Sequence, residues 1–300
     1  MRETEIVQRI RELAQTGVQN KALLKTIGED CAILRPNAKE DLVFTSDLLL
    51  EGRHFTLETH TAADIGHKAL ARSLSDLAAM GSVPVFCLVS LAIPAALGAR
   101  WIQSFYAGLL GLASRYKTAL AGGDLARFEH VIVDVLCWGR VPRGKALTRS
   151  AARPGDRIFV TGSLGASALG LATRRGPAWR RHLRPEPRIA AGIALRKLGV
   201  RAAMDLSDGL SLDLHRLCLE SNVSAEIDSP LPLAEGATLE QVLHGGEDYE
   251  LLFTAPARVR VPQRIARLAI TNIGTVRTGK PGEVRLNGRI LKPAGYDHFR

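Results

Sequence analysis

Apolar and polar positions along this chain follow two rhythms. Residues 42–46 (LVFTS) and 83–93 (VPVFCLVSLAI) are short runs rich in β-branched and aromatic residues, which predicts strands. Between them Ile65, Ala69, Leu70, Leu74 and Leu77 recur at helical spacing, so residues 61–80 are expected to form a helix. WIQSFYAGLLGLASRY (101–116) repeats the helical pattern, and KTALAGG (117–123) and HVIVDVLCWG (130–139) read as strands. PRGKALTRSAARPGD (142–156) then breaks regularity with two prolines and two glycines, which predicts a boundary between a domain 1–141 and a domain 142–300. Beyond it the expected elements are a strand (156–162), a helix (163–175), a helix (188–199), a strand (201–206), a helix from Gly209 to about Leu219, and strands near 249–256 and 269–276. The alternation predicts a two-domain mixture of helices and strands.

Composition narrows this picture. With 300 residues, 46% of them hydrophobic and 23% charged, the chain can bury two ordinary cores. No apolar run reaches the length of a membrane span, and MRETEIVQRIRELAQ lacks the apolar centre of a secretion signal, so a cytoplasmic location without membrane contact is expected. Cys31, Cys87, Cys137 and Cys218 lie far apart and read as core residues. The net charge of +10 is spread along the chain, with one concentration in RRGPAWRRHLRPEPR (174–188). Aromatics total only 5%, which argues against nucleic-acid binding and leaves small anionic substrates as the expected partners.

Two segments imitate phosphate-binding loops. GRVPRGKA (139–146) approaches a P-loop, but Ala146 has no hydroxyl for a magnesium ion, and Pro154 and Gly155 interrupt any long helix. GSLGASALG (162–170) lacks the G-x-G opening, so Gly162 and Gly165 are expected to serve close packing.

What remains is a set of aspartates at the ends of apolar segments: Asp30, Asp47, Asp76, Asp124, Asp205 and Asp208. Each has an ordinary explanation. Asp208 or Ser207 can cap the following helix, Asp76 can pair with Arg72 one turn earlier, and Asp124 can be a turn residue. Strand ends on one sheet edge would gather them, and gathered carboxylates need cations between them. With Thr45, Ser46 and Ser207 nearby, an all-oxygen set suits magnesium, which commonly binds substrate phosphates.

In order, IGEDCAIL, FTSDLLLEGRHF, KALARSLSDLAAMGSVP, LAGGD, ALTRSAARPGDRIFVTG, HLRPEPRI, MDLSDGLSLDL, GGEDYELLFT and GYDHF span about Gly28 to Phe299. Together they resemble the thiamine-monophosphate kinase family, itself similar to aminoimidazole ribonucleotide synthetase. The resemblance implies an N-terminal α+β domain that pairs with its twin in a homodimer, and a C-terminal α/β domain that closes over ATP. It implies magnesium ligands at Asp30, Thr45, Ser46, Asp47, Asp76, Asp124, Asp205 and Asp208, and nucleotide contacts at Tyr106, Gly123, Asp124, Arg149 and Ser207. Thiamine monophosphate would meet His54, Glu247 and Tyr296, while His244, Asp248 and Glu250 would be structural. The chain departs from the family pattern at Glu29, where aspartate is usual, and at Leu125-Ala126-Arg127, where hydroxyl residues are usual.

The implied reaction is in-line transfer of the ATP γ-phosphoryl group onto the phosphate of thiamine monophosphate, assisted by several magnesium ions. It needs no dedicated general base, because the acceptor is already a phosphate oxygen. Two other readings stand beside it. One is a selenophosphate synthetase or a hydrogenase-maturation relative; the former needs a reactive cysteine or selenocysteine, and no cysteine precedes Gly28. The other is a binder of the same ligands without turnover, against which the complete aspartate set argues.

Overall fold

A computed structural model describes residues 23–25, 29, 31–35, 39–228 and 230–297. The expected ligand Asp30 and the charged N-terminal stretch lie outside these. In the first half the elements are β1 (Leu23–Lys25), β2 (Ala32–Leu34), β3 (Glu40–Leu50), α1 (Ala62–Ala79), β4 (Val83–Ile93), α2 (Ala99–Arg115), β5 (Ala119–Arg127) and β6 (Ile132–Pro142). Their six strands form one sheet in the order β1-β2-β3-β6-β4-β5. Only β4 and β5 run parallel. β3 and β6 pair along their whole length, from Glu40 opposite Pro142 to Leu50 opposite Ile132.

The two-residue period of the strands decides what each face does. Val43, Leu49, Cys87, Val89, Val133, Val135 and Cys137 point inward and are buried. The other face carries Phe44, Phe86 and Trp138, with Phe86 and Trp138 stacked at 4.5 Å between ring centroids.

The second half contains β7 (Arg157–Thr161), α3 (Ala166–Thr173), α4 (Gly176–Leu183), α5 (Ile189–Leu198), β8 (Ala202–Asp205), α6 (Leu210–Glu220), β9 (Ser224–Ile227), α7 (Leu239–His244), β10 (Leu251–Ala255), β11 (Arg264–Ile265), β12 (Leu268–Arg277), β13 (Val284–Leu286) and β14 (Arg289–Ile290). Its sheet runs β14-β13-β9-β12-β7-β10-β8, with β11 attached to β12. Pairing is antiparallel except between β13 and β9. One turn of 3-10 helix, Arg149–Ala151, lies in the connection between the halves.

Helix α1 is the hinge of the packing. Thr61 starts it with a capping box: its side chain accepts from the Asp64 N–H, and the Asp64 carboxylate accepts from the Thr61 N–H. Nearly every residue of α1 is buried, because sheet, α2 and the second half surround it. Glycine permits the closest contacts, among them two from the neighbouring helices. A Cβ on Gly108 of α2 would lie 1.9 Å from the Ala63 carbonyl oxygen, and one on Gly192 of α5 would lie 1.9 Å from that of Ala78. The backbones of α2 and α5 thus touch α1 directly.

The arginine-rich segment 174–188, read from sequence as a concentration of charge whose end HLRPEPRI belongs to the resemblance, turns its C-terminal part inward. It forms α4 and delivers Arg181 and Arg188 to the fully buried carboxylate of Glu250, which also accepts from Thr161 Oγ1 at 2.5 Å. Arg184 binds Asp64 at 2.5 Å. Much of that local charge is neutralised inside the molecule.

These contacts predict opposite outcomes for two glycines of α2. Gly108→Ala should destabilise by about 1–3 kcal/mol, because α2 must retreat from α1. Gly111→Ala, with nothing within 4 Å of the added carbon, should instead stabilise by up to about 1 kcal/mol. Denaturant unfolding of the two variants measures both; equal effects would contradict the packing described.

Candidate active-site cleft

The residues that line the cleft are brought there by three different devices. Strand β3 supplies Thr45, Ser46 and Asp47 from its middle. Helix α1 supplies Arg72 and Asp76, with the buried Lys68 one turn earlier at the same four-residue spacing. The third is the pair of chain segments that leave β8 and enter β10. They carry Asp205, Ser207 and Asp208 on one side and Glu247 on the other, joined by hydrogen bonds from the Glu247 N–H to the Ser207 carbonyl (2.7 Å) and from the Tyr249 N–H to the Leu206 carbonyl (2.9 Å). Glu247 and Tyr249 take left-handed backbone angles, φ +63° and +50°, to make that approach. Between these elements lies a cleft of about 1460 Å³.

Hydrogen bonds fix these side chains within the first half and, at Ser75, across to the second. Thr45 Oγ1 donates to Asp76 Oδ2 at 2.6 Å, and Ser75 Oγ donates to Asp205 Oδ2 at 2.7 Å. Arg72 donates to both oxygens of Asp47, from Nε at 3.0 Å and Nη2 at 2.7 Å, and its Nη1 stands 3.6 Å from Glu247 Oε1. Asp208 pairs with Arg216 of α6, while its N–H donates to Asp213 at 3.0 Å. Burial, reinforced by the charge of Asp208, pushes the Asp213 carboxyl well above the usual range. Glu29 accepts from the Arg149 N–H and from Ser150 Oγ, both at 2.6 Å, so its longer side chain starts the 3-10 turn.

A second polar cluster centres on Lys68, which is completely buried. Its ammonium donates to Glu247 Oε2 at 2.8 Å and to the His54 carbonyl at 3.2 Å, and lies 3.4 Å from His182 Nε2. Burial would raise the Glu247 carboxyl, but Lys68, His182 and Arg72 outweigh it and hold it at about 2. His182 stacks on Trp179 at 5.2 Å, with His60 beside both. Burial, then the charge of Lys68, pulls His182 down to about 3 and His60 down to about 4. At neutral pH both imidazoles are uncharged.

The structure brings most of the expected site residues together. Thr45, Ser46, Asp47, His54, Asp76, Arg149, Asp205, Ser207, Asp208, Glu247 and Tyr296 all line the one cleft. The reason differs from the expected one: Asp47 sits mid-strand and Asp76 on a helix, so meeting at strand ends accounts only for Asp205. Asp76 accepts from Thr45 Oγ1, and Arg72 pairs with Asp47 instead of with Asp76.

Tyr106, Gly123 and Asp124 do not line the cleft. Asp124 is level with Ser90, Asp134 and Leu48 on successive strands, so three inter-strand gaps of about 4.8 Å separate it from β3. Within one chain it cannot share an ion with Asp47. Among the described residues no three acidic, histidine or cysteine side chains form a group that could hold a metal ion.

Both imitation loops are explained. Gly144 lies in a turn closed by the Lys145 N–H on the Pro142 carbonyl, and only one turn of 3-10 helix follows before β7. At the start of α3, Asp248 accepts from the N–H groups of Gly165 (2.5 Å) and Ser167 (3.1 Å), so an internal carboxylate occupies the place of a phosphate. Lys68, Arg72, His60, His182 and Arg216 escaped the sequence reading. For Lys68 and Arg72 a signal existed, two cations at i and i+4 inside KALARSLSD.

Comparison with known proteins sharpens the picture. Residues 28–141 match the AIR synthase related protein, N-terminal domain, and residues 153–287 match the AIR synthase related protein, C-terminal domain. The thiamine-monophosphate kinase of Escherichia coli strain K12 is 39% identical over 307 residues, covering 91% of each chain. That of Bacillus subtilis strain 168 is 36% identical, covering 91% of this chain and 93% of its own. The solved structure of AaThiL complexed with AMPPCP and TMP superposes with a TM-score of 0.88 at 33% identity, covering 99% of this chain and 97% of that one. The thiamine-monophosphate kinase of Stenotrophomonas maltophilia K279a gives a TM-score of 0.77 at 37% identity, with 96% and 98% covered. A hydrogenase maturation protein, HypE, in complex with ATP shares the fold alone, at 17% identity and a TM-score of 0.72.

The neutral histidines make stability depend on pH. Their folded-state pKa values lie below the ordinary 6.5, so the unfolded chain binds more protons between about 6.5 and 3, and stability falls as pH drops through that window. Each histidine should contribute a slope of up to about 1.4 kcal/mol per pH unit. Unfolding measured at pH 7 and pH 5 should show this loss, and His182→Gln should reduce it; a variant with the wild-type slope would contradict the assignment.

Proposed function

Since the chain belongs to the thiamine-monophosphate kinase family, within the AIR synthase related proteins, we propose that it transfers the γ-phosphoryl group of ATP to thiamine monophosphate, giving thiamine diphosphate and ADP. One observation carries this reading. Carboxylates from both halves, Asp47 and Asp76 from one and Asp205 and Asp208 from the other, border a single cleft with Arg72, Arg149 and Arg216. At about 1460 Å³ the cleft exceeds the usual volume for one small ligand, which supports two substrates side by side.

Each residue then has a task. Arg149 and Ser207 take the nucleotide, and His54, Glu247 and Tyr296 take the thiamine end. Asp47, Asp76, Asp205 and Asp208, with Thr45 and Ser46, are hard oxygen donors that fit magnesium, and Asp30 completes the proposed set. A carboxylate offers about four lone-pair positions, so the Arg72 pair leaves Asp47 able to ligate. When bound, magnesium supplies positive charge between two anionic substrates and on the group in transfer. The protein contributes alignment and exclusion of water, and none of its side chains is assigned as a general base.

We further propose a division into a domain 1–141 and a domain 142–300 that closes over the substrates, a homodimer, and a cytoplasmic location, where ATP is available. The apolar outer face of the first sheet, with Phe44, Phe86 and Trp138, supports a second copy packing there. Strand β5 is one end strand of that sheet and is exposed, which supports Gly123 and Asp124 meeting that copy.

Purified protein with magnesium, ATP and thiamine monophosphate should form thiamine diphosphate and ADP; no product would sink the proposal. Asp→Asn at 47, 76 or 205 should lower turnover by about two orders of magnitude or more while the fold survives. Arg149→Ala should raise the KM for ATP markedly, whereas Lys145→Ala should leave it near normal; the reverse order would move the phosphates to the 139–146 loop. Sedimentation at micromolar concentration should show a dimer, and a fully active monomer would contradict the assembly.

A further inference from the structure

Arg72 has a geometry that the proposed reaction leaves unused. It projects from α1 into the cleft between Asp47 and Glu247. Asp47 takes the Nε and Nη2 side of the guanidinium in two parallel hydrogen bonds, which fixes the plane of the group. Among the described residues the remaining nitrogen, Nη1, has only Glu247 Oε1 near it, at 3.6 Å, beyond hydrogen-bond distance. Its hydrogens are donors held in place for something else.

Charge indicates what that is. Glu247 is paired first with Lys68 at 2.8 Å, and Arg72 stands farther from it at 3.6 Å, so the charge of Arg72 is only partly taken up by Glu247. An anion placed between Glu247 and Asp47 would otherwise face two carboxylates. Under the proposed function the acceptor phosphate must lie between the thiamine contact Glu247 and the carboxylates that serve phosphoryl transfer, which is where Arg72 stands.

We infer that Arg72 binds the phosphate of thiamine monophosphate through its Nη1 edge, with Asp47 as the residue that orients it; this rests on the kinase reading of the cleft. Arg72 is thereby the group that separates the phosphorylated substrate from unphosphorylated thiamine. Lysine at this position would keep the charge but lose the fixed fork.

Calorimetric titration of thiamine monophosphate and of thiamine into wild type, Arg72→Gln and Arg72→Lys, in magnesium buffer without nucleotide, tests this. Wild type should prefer thiamine monophosphate. Arg72→Gln should weaken its binding by about tenfold or more while leaving thiamine affinity unchanged, with Arg72→Lys in between. Equal weakening of both ligands would mean that Arg72 only supports Glu247, and no change would mean that the phosphate lies elsewhere; either result overturns the inference. Should Arg72→Gln fail to fold, Arg72→Lys, which keeps a cation beside Asp47, decides alone by the same comparison. A wild-type protein that binds neither ligand and forms no product defeats the kinase reading itself, and this assignment with it.

Discussion

Everything in this molecule depends on a helix at the centre of a core that spans both halves. Helix α1 is pressed against the first sheet and α2 on one side and against β8 and α5 on the other, with glycine allowing direct backbone contact at Ala63 and Ala78. A helix buried all round is ordinarily apolar throughout. This one carries Lys68, Arg72, Ser75 and Asp76, and burying them without partners would cost several kcal/mol each. The partners come from elsewhere in the chain: Glu247, Asp47, Asp205 and Thr45. Satisfying the polar side of α1 therefore assembles the cleft, and structural necessity and active-site assembly use the same bonds.

The same economy governs the positive charge. A formal charge of +10 suggests a basic surface, yet Arg181 and Arg188 converge on the buried Glu250, and Arg184 reaches Asp64. Those arginines bind segments of the protein to one another. Arg53, Arg72, Arg149, Arg174 and Arg216 are the ones that border the cleft, where anionic substrates belong.

Much of this was legible in the sequence, and the reasons for the rest are physical. The expected strand at residues 83–93 and helix at 61–80 match β4 and α1 closely, because both elements are long enough for the spacing of their large apolar residues to repeat. The two-residue strands β11 and β14 are too short to show one, and α4 was hidden by its charge. Asp47, Asp76, Asp205 and Asp208 were recognisable as a set, although antiparallel pairing and a helix, not a row of strand ends, bring them together. Lys68 and Arg72 stand at i and i+4 in KALARSLSD, but that spacing alone does not place them inside, since a cation on a helix usually faces water. Only the distant Glu247 and Asp47 explain why these two do not. The separation of Asp124 from the cleft depends on strand order, which a single sequence does not display.

The partners of α1 also arrive late. Lys68 and Glu247 are 179 residues apart, and Ser75 and Asp205 are 130 apart. On a ribosome adding about 5–20 residues per second, Lys68 emerges about ten to forty seconds before the carboxylate that neutralises it. During that interval the first half can form its sheet, but α1 cannot bury its lysine. The nascent N-terminal half is then a waiting intermediate with one side of its central helix uncovered. The last fifth of the chain, which brings Glu247, is the part that commits the whole protein to its folded state.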